Sequence, residues 1–184
     1  MKKIIIVFFI TTFLSLAVNA QKYITKTGKI SFFSSAPLEN IEAVNDQVNA
    51  ALDFSTGDFV FKVLMKSFEF PKSLMQEHFN ENYVESDKYP DASFTGKITN
   101  IKDINVANNN TVIVQAQGDL TIHGVTKKIN TSGTIGIKNG VLTGYSKFTI
   151  LLKDYNISIP KTVVNNISKT IEITVNIILN KLNN

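Results

Sequence analysis

Few side chains in this chain are of the kinds that do chemistry. Its 184 residues include no Cys and only two His, and all 19 basic residues are Lys. Without Cys there is no disulfide, no thiolate metal site, no Cys nucleophile and no lipidated N-terminal Cys. A metal centre needs three or four converging ligands. His78 follows Glu77 on a stretch of helical spacing but lacks the second His of a zinc helix motif, and its place beside Leu74 and Met75 reads as packing. His123 precedes Gly124 at a turn and falls on the outward parity of its strand, which reads as a turn or surface residue, with ligand contact as the alternative. No Ser sits in a nucleophile elbow with an assignable His and acid. Asp154-Tyr155 is the remaining polar feature. It reads either as an Asx-type turn entering Ile157-Ser158-Ile159-Pro160 or as a contact for the polar head of a ligand. No catalytic residue, metal or cofactor is expected.

Charge excludes another class. A formal net charge of +4 with no Arg lacks both the electrostatic footprint of a nucleic-acid binder and the bidentate phosphate clamp. Part of that charge lies in an address. Lys2 and Lys3 precede an unbroken apolar-to-neutral run from Ile4 to Val18, and the stretch ends Ala17-Val18-Asn19-Ala20. A basic start, a core of about fifteen residues and a small-residue cut site mark a secretory signal peptide, 1–20, cut after Ala20. The mature domain is 21–184, its formal charge falls to +2, and no second run follows that could span a bilayer. The expected location is the periplasm or outside the cell, with no stable membrane insertion after cleavage. An exported chain free of Cys, rich in Lys, Asn and Ile and without Arg points to a bacterial source.

The elements that must position any site follow a period of two. From Val112 to Ile122 the even positions are Val112, Val114, Ala116, Gly118, Leu120 and Ile122, and the odd ones are mostly polar. Such alternation is a strand with one dry and one wet face. The same parity gives inward sets Phe59/Phe61/Val63/Met65, Phe94/Gly96/Ile98, Ile129 to Ile137, Leu142 to Leu152, and Ile171 to Leu179. Tyr23–Thr27, Lys29–Ala36 and Ile41–Phe54 are less regular candidates. Asn139-Gly140 is the strongest hairpin signal. Thr56-Gly57-Asp58, Asn108-Asn109-Asn110 and His123-Gly124 mark other turns. About eight strands joined by short antiparallel connections close into an up-and-down barrel or pack as a sandwich. One segment breaks the period. From Pro71 to about Tyr83 the apolar residues take helical spacing, with Pro71 suited to the first turn, so a single amphipathic helix is inserted between strands.

The inward faces raise the question of a cavity. Gly96, Gly118, Gly133 and Gly144 fall on four consecutive inward faces, with Ala116 and Ser146 beside them. Small inward residues leave volume that a filled barrel would occupy with branched ones, but Gly inside a strand also marks a bend or bulge. Phe59, Phe61, Phe94 and Phe148 could wall an apolar channel. The candidate lining is those four with Val63, Met65, Ile98, Ala116, Leu120 and Ile135, joined by Leu74 and Phe79 from the helix.

Phe68-Glu69-Phe70, Leu74-Met75, His78-Phe79, Tyr89-Pro90, Phe94 and Gly96 follow the middle signature of the YceI-like family. So does Gly118-Asp119-Leu120-Thr121-Ile122-His123-Gly124-Val125-Thr126-Lys127, the most specific part of the match. Phe148 through Asp154-Tyr155-Asn156-Ile157 sits where the family carries its terminal signature. The sequence departs there, with Lys153, Tyr155 and Asn156 in place of the usual Arg, Phe and Gly. The resemblance runs from about Ser31 to Leu179. It implies an all-β fold, an eight-stranded antiparallel lipocalin-like β-barrel with one short amphipathic helix. It also implies an exported, non-enzymatic binder of a long apolar lipid in the barrel channel, isoprenoid, quinone-like or fatty-acid-like. Asp154 and Tyr155 are then the candidate head-group contacts. The alternatives are a filled structural or interaction barrel, and an enzyme acting on a bound lipid. An outer-membrane barrel requires an apolar outward band, whereas the outward residues here are largely Lys, Thr, Asn and Gln. Monomer and homodimer are both compatible with the mixed surface.

Overall fold

The period-two segments all become strands, and the strands close on themselves. The computed structural model describes residues 21–105, 110–139 and 141–182. The expected signal peptide 1–20, Asn108-Asn109 and Gly140 lie outside the described residues. The strands are β1 (Lys22–Ser35), β2 (Asn40–Asp53), β3 (Asp58–Leu64), β4 (Asp91–Ile98), β5 (Thr111–Ile122), β6 (Val125–Lys138), β7 (Val141–Leu151) and β8 (Thr170–Lys181), with one α-helix, α1 (Ser73–His78). Each strand pairs antiparallel with its neighbour in sequence, and β8 returns to β1, giving a closed up-and-down barrel. Closure removes the sheet edges that an open sandwich would expose, except where β6 before Gly133 and β7 beyond Ser146 are not paired with each other.

From β3 to β8 the inward parity is that of the sequence: Phe59 and Val63, Ile98, Val114 and Leu120, Ile135 and Ile137, Leu142 and Ile150, and Ile171, Ile177 and Leu179 are all buried. β1 and β2 are different. Tyr23–Thr27 and Lys29–Ala36 are one strand whose parity changes midway: Tyr23 and Thr25 are buried, then Gly28 and Ile30. β2 changes parity opposite it, from Ala43 and Asn45 to Val48, Ala50 and Leu52. The register shifts twice here, between Thr25 and Gly28 and between Gly28 and Ile30. Each shift inserts an extra residue on one strand, a bulge that bends the ladder and sharpens its twist. Asn45 fills the bend. Fully buried, it donates from Nδ2 to the Leu64 carbonyl (2.9 Å), and its Oδ1 accepts from the Gln47 amide (2.8 Å).

Two of the tight turns use left-handed backbone. His123 (φ 51°) and Gly124 (φ 73°) form the two-residue link between Ile122 and Val125, and Asn139 (φ 52°) opens the link between Lys138 and Val141. Positive φ at such loop positions matches the right-handed twist of the flanking strands.

The two ends of the barrel are built differently. At one end the turn Ile101–Asp103 lies across the opening, and Ile101 and Ile104 pack with Tyr23, Leu52, Ile137, Leu142 and Leu179. At the other end lie the β1–β2 link, the segment 65–90 with α1, the His123-Gly124 turn and the long β7–β8 connection 152–169. The helix starts at Ser73 with Lys72 as its N-cap, so Pro71 stands before the first turn, contrary to expectation. After His78 the chain widens into a single π-type turn, Phe79–Tyr83, closed by the Val84 amide on the Phe79 carbonyl (3.0 Å).

Candidate functional site

The barrel encloses a cavity of about 390 Å³. Its walls are laid down by parity, because every second residue of each strand points inward. Phe59, Phe61 and Val63 come from β3, with Met65 just beyond it, and Phe94 and Ile98 from β4. Ala116 and Leu120 come from β5, Ile135 from β6 and Phe148 from β7. All ten of these expected positions line the cavity, as does Phe79 from the turn after α1. Leu74 does not. It is 60% exposed on the outer side of the helix. At 3.6 residues per turn it stands about 100° round the axis from Met75, and Met75, His78, Phe79 and Tyr83 are the ones that face the cavity.

Aromatic rings cluster in two places. Phe59 meets Phe94 edge to face at 4.9 Å between centroids and Phe61 at 5.7 Å. Beneath the helix, Phe32 stacks on Phe79 at 5.5 Å, and both also contact Phe68 and Phe70. These offset and edge contacts are the favoured geometries of ring quadrupoles. The sequence reading missed Phe32, Phe68 and Phe70 as lining. For Phe32 the parity change in β1 hid the signal. For Phe68 and Phe70 the i, i+2 spacing was visible, but the segment lies outside a named strand.

Close strand approach accounts for three of the four inward glycines. Gly96 and Gly118 face each other across β4 and β5. A Cβ on Gly96 would run into the Gln117 carbonyl, and one on Gly118 into the Thr95 carbonyl. They permit close strand approach and do not border the cavity. Gly133 and Gly144 do border it, but a Cβ on Gly133 would also meet a carbonyl, that of Tyr145 at 2.5 Å.

Polar groups are sparse in the walls and gather in two places. One is where β6 and β7 part company beyond the Gly133–Ser146 pair. There the Ser146 hydroxyl donates to the Ser132 carbonyl (2.7 Å) and lies 3.4 Å from the Thr131 hydroxyl. The other is the end near α1. Glu39 borders the cavity and is held by Lys72 Nζ (3.2 Å) and Asn166 Nδ2 (3.4 Å). The β7–β8 connection contributes Val163, Asn166 and Ile167 to the lining. It is tied to the β1–β2 link by the Leu38 amide on the Asn165 carbonyl (3.0 Å) and the Ser168 amide on the Ser34 hydroxyl (2.9 Å).

The expected head-group contacts are not at the cavity. Asp154 is exposed, while the Tyr155 ring is buried with Leu120, Ile122, Ile150, Ile157 and Ile171. Burial, and secondarily the Asp154 charge, pushes the Tyr155 phenol above its ordinary value. A turn is realised at Asp154-Tyr155, but of 3₁₀ and not Asx type: Leu152–Tyr155 is closed by left-handed Asn156 (φ 56°). Tyr83, which does line the cavity, is also raised by burial. His123 lies in the expected turn but not on the surface. The left-handed turn folds its ring back, so the side chain is only 10% exposed. Nε2 lies 2.7 Å from Glu85 Oε2, Nδ1 lies 3.1 Å from the Tyr155 carbonyl oxygen, and Tyr89 packs edge-on at 4.6 Å. Next to it a Cβ on Gly124 would meet the Tyr89 ring at 2.5 Å. The residue is a structural latch between three loops and does not border the cavity.

Among the described residues no three His, Asp or Glu side chains converge as a metal site, and no helix is long and apolar enough to cross a membrane. What the arrangement can do chemically is exclude water from a long apolar chain.

The family model for the YceI-like domain matches residues 19–179. Among solved structures, a polyisoprenoid binding domain from Saccharophagus degradans implicated in plant cell wall breakdown is similar at 15% identity with a TM-score of 0.77, over 89% of this chain and 99% of that one. Burkholderia cenocepacia BcnA is similar at 16% identity and a TM-score of 0.68, over 83% and 95% of the two chains. The Campylobacter jejuni YCEI protein matches over 100% of both chains at 16% identity and a TM-score of 0.55. No curated protein matches the chain.

Proposed function

The chain belongs to the YceI-like family, and on that premise we propose that it is an exported, non-enzymatic carrier of a long apolar lipid held in the barrel channel. The observation that carries this reading is the apolar cavity of about 390 Å³, bordered by Phe from five separate segments and by few polar groups. It falls within the usual range for ligand pockets, about 300–1,000 Å³. Each methylene moved from water into such a wall contributes roughly 0.8 kcal/mol. A chain of several isoprene units therefore has ample gross affinity without a dedicated hydrogen bond. The polyisoprenoid-binding relative favours an isoprenoid or quinone-like ligand over a fatty-acid-like one. The polar groups nearest an entering head are Glu39, Lys72 and Asn166 at the mouth, in place of Asp154 and Tyr155. Export rests on the basic, apolar and small-residue pattern of residues 1–20. The reading keeps the mature chain in the periplasm or outside the cell.

The test is intact mass spectrometry of the mature protein, purified from its export compartment under native and then denaturing conditions. The expected result is an extra mass that is lost on denaturation and extracts into organic solvent. Phe61→Asp and Phe148→Asp should abolish it in protein that still shows the β-sheet circular dichroism of the wild type. Unchanged lipid in those folded variants, or a clean apo mass in the wild type, defeats the reading and leaves a barrel that functions without cargo.

A further inference from the structure

Three large aliphatic side chains stand exposed around the mouth of the cavity on three different elements. Leu38, in the β1–β2 link, is 72% exposed, Leu74 on α1 60%, and Val164 in the β7–β8 connection 43%. Each adjoins in sequence a residue that borders the cavity: Glu39, Met75 and Val163. The three elements are fastened together at this rim by Leu38 to Asn165, and by Glu39 to Lys72 and Asn166. The exposed residues therefore circle one opening. The β7–β8 connection also carries Lys153, Lys161 and Lys169 against a single acid, Asp154, and no ion pair engages these lysines among the described residues. On the facing segment Glu77, Glu81 and Asp87 are exposed acids, Asp87 paired to Lys66, so the net positive charge of the rim lies on the β7–β8 connection.

We infer that this rim is a docking surface for an anionic lipid bilayer. Leu38, Leu74 and Val164 insert shallowly between head groups, and the connection's lysines face the anionic surface. The reason lies in continuity. An apolar chain leaving a bilayer for the cavity must not cross water, because every exposed methylene opposes the passage. A rim whose apolar residues adjoin the cavity lining lets the acyl region of the membrane and the channel meet. Shallow aliphatic anchors with adjacent lysines give reversible attachment, and binding of this kind depends on anionic lipid. The inference rests on the carrier reading for its purpose, but the surface itself can be tested separately.

The measurement is co-sedimentation of the mature chain with vesicles of equimolar phosphatidylcholine and phosphatidylglycerol, and with phosphatidylcholine alone. The wild type should bind the mixed vesicles and bind the neutral ones more weakly. The triple variant Leu38→Ser/Leu74→Ser/Val164→Ser should lose about ten-fold in vesicle affinity. Its native mass should still show any carried lipid, because none of the three lines the cavity. Ile113→Ser/Ile178→Ser removes two equally exposed residues from the barrel's outer face, at 67% and 58% exposure, and should change nothing. A wild type that retains lipid but ignores both vesicles overturns the docking surface and leaves the carrier reading intact. Equal loss in the triple and the outer-face control also overturns it. A wild type that carries no lipid yet binds vesicles through the rim upholds the surface while the carrier reading fails.

Discussion

The two ends of this barrel are closed by different chemistry. At the end beneath Ile101 the seal is apolar. Ile98, Ile101 and Ile104 are each no more than 6% exposed and pack on the inward residues of β1, β2, β6, β7 and β8. Gly57 (φ 82°) brings the β2–β3 turn down onto this plug, where a Cβ would lie 2.6 Å from the Ile98 carbonyl and 3.1 Å from the Ile101 side chain. At the mouth, apolar packing around Phe68 and Tyr155 is joined by polar contacts between loops: His123 with Glu85 and the Tyr155 carbonyl, Ser34 with the Ser168 amide, and Glu39 with Lys72 and Asn166. An apolar seal resists opening because every separated contact meets water. A hydrogen bond that can be exchanged for one to water contributes a net of only about 0.5–1.5 kcal/mol, although Ser34 and His123 are themselves largely buried. The loops at the second end are therefore tied in part by bonds that separate at lower cost than the apolar plug.

The comparison is most easily broken at the plug. Ile101→Ala removes buried methyl and methylene groups and leaves a cavity, so it should lower stability by about 2–5 kcal/mol in urea denaturation. A loss under about 1 kcal/mol would mean that the end relaxes freely and is no firmer than the mouth. Next in size is His123→Ala. It leaves Tyr155 and Glu85 to find water and should cost about 1–3 kcal/mol. Hydrogen exchange should speed at 85–89 and 152–157 but not at 99–104. Faster exchange at 99–104 as well would show that the ends are coupled. Smaller still is Ser34→Ala, which strips the Ser168 amide of its acceptor and should cost about 1 kcal/mol. Its expected signature is kinetic, with faster release of bound lipid and little change in the melting temperature.

The same contrast explains what could be read from the sequence. β3 through β8 were legible because their parity is unbroken, and the wall residues Phe59, Phe94, Ile135 and Phe148 followed directly. β1 and β2 were not, because two opposed bulges reverse the parity between Thr25 and Gly28 and between Asn45 and Val48. Nothing local announces a bulge whose filler, Asn45, bonds to a carbonyl nineteen residues away. The errors cluster at the mouth. Leu74 was placed by an apolar stripe that ignored which side of a six-residue helix faces in. His123 stands in the turn that His123-Gly124 announces, but its positive φ folds the ring inward, against the outward parity. Of the two readings of Asp154-Tyr155 the head-group contact fails, because the turn swings the phenol into the core and the carboxylate into solvent. At the plug the strand ends follow the pattern, but Ile101 and Ile104 lie in a turn that the periodicity does not mark. At the mouth, conformation is set by contacts between distant loops that periodicity does not encode.

A titration separates the ends without deleting a contact. Both tyrosines whose ionisation is pushed up, Tyr155 and Tyr83, sit at the mouth, and burial is the leading cause for each. With the folded value above the ordinary one near 10, the unfolded chain loses its phenolic protons first. In that window it binds fewer protons than the folded chain, and stability falls as pH rises. The contribution is whole below about pH 10 and is lost as pH climbs through the raised folded value. Lys88, raised by its bond to Tyr89, and Lys147, raised by its bond to Glu172, titrate at the surface in the same direction. The difference between wild type and Tyr155→Phe therefore isolates the buried phenol. The variant should have a shallower alkaline limb in stability against pH and an unchanged curve below pH 9, a point about one unit under the ordinary tyrosine range. In the wild type, exchange at 152–157 should quicken at alkaline pH before exchange at 99–104 does, after correction for the intrinsic rate. Simultaneous opening of both segments would mean that ionising the mouth unfolds the whole barrel, and that the polar end is no easier to open than the apolar one.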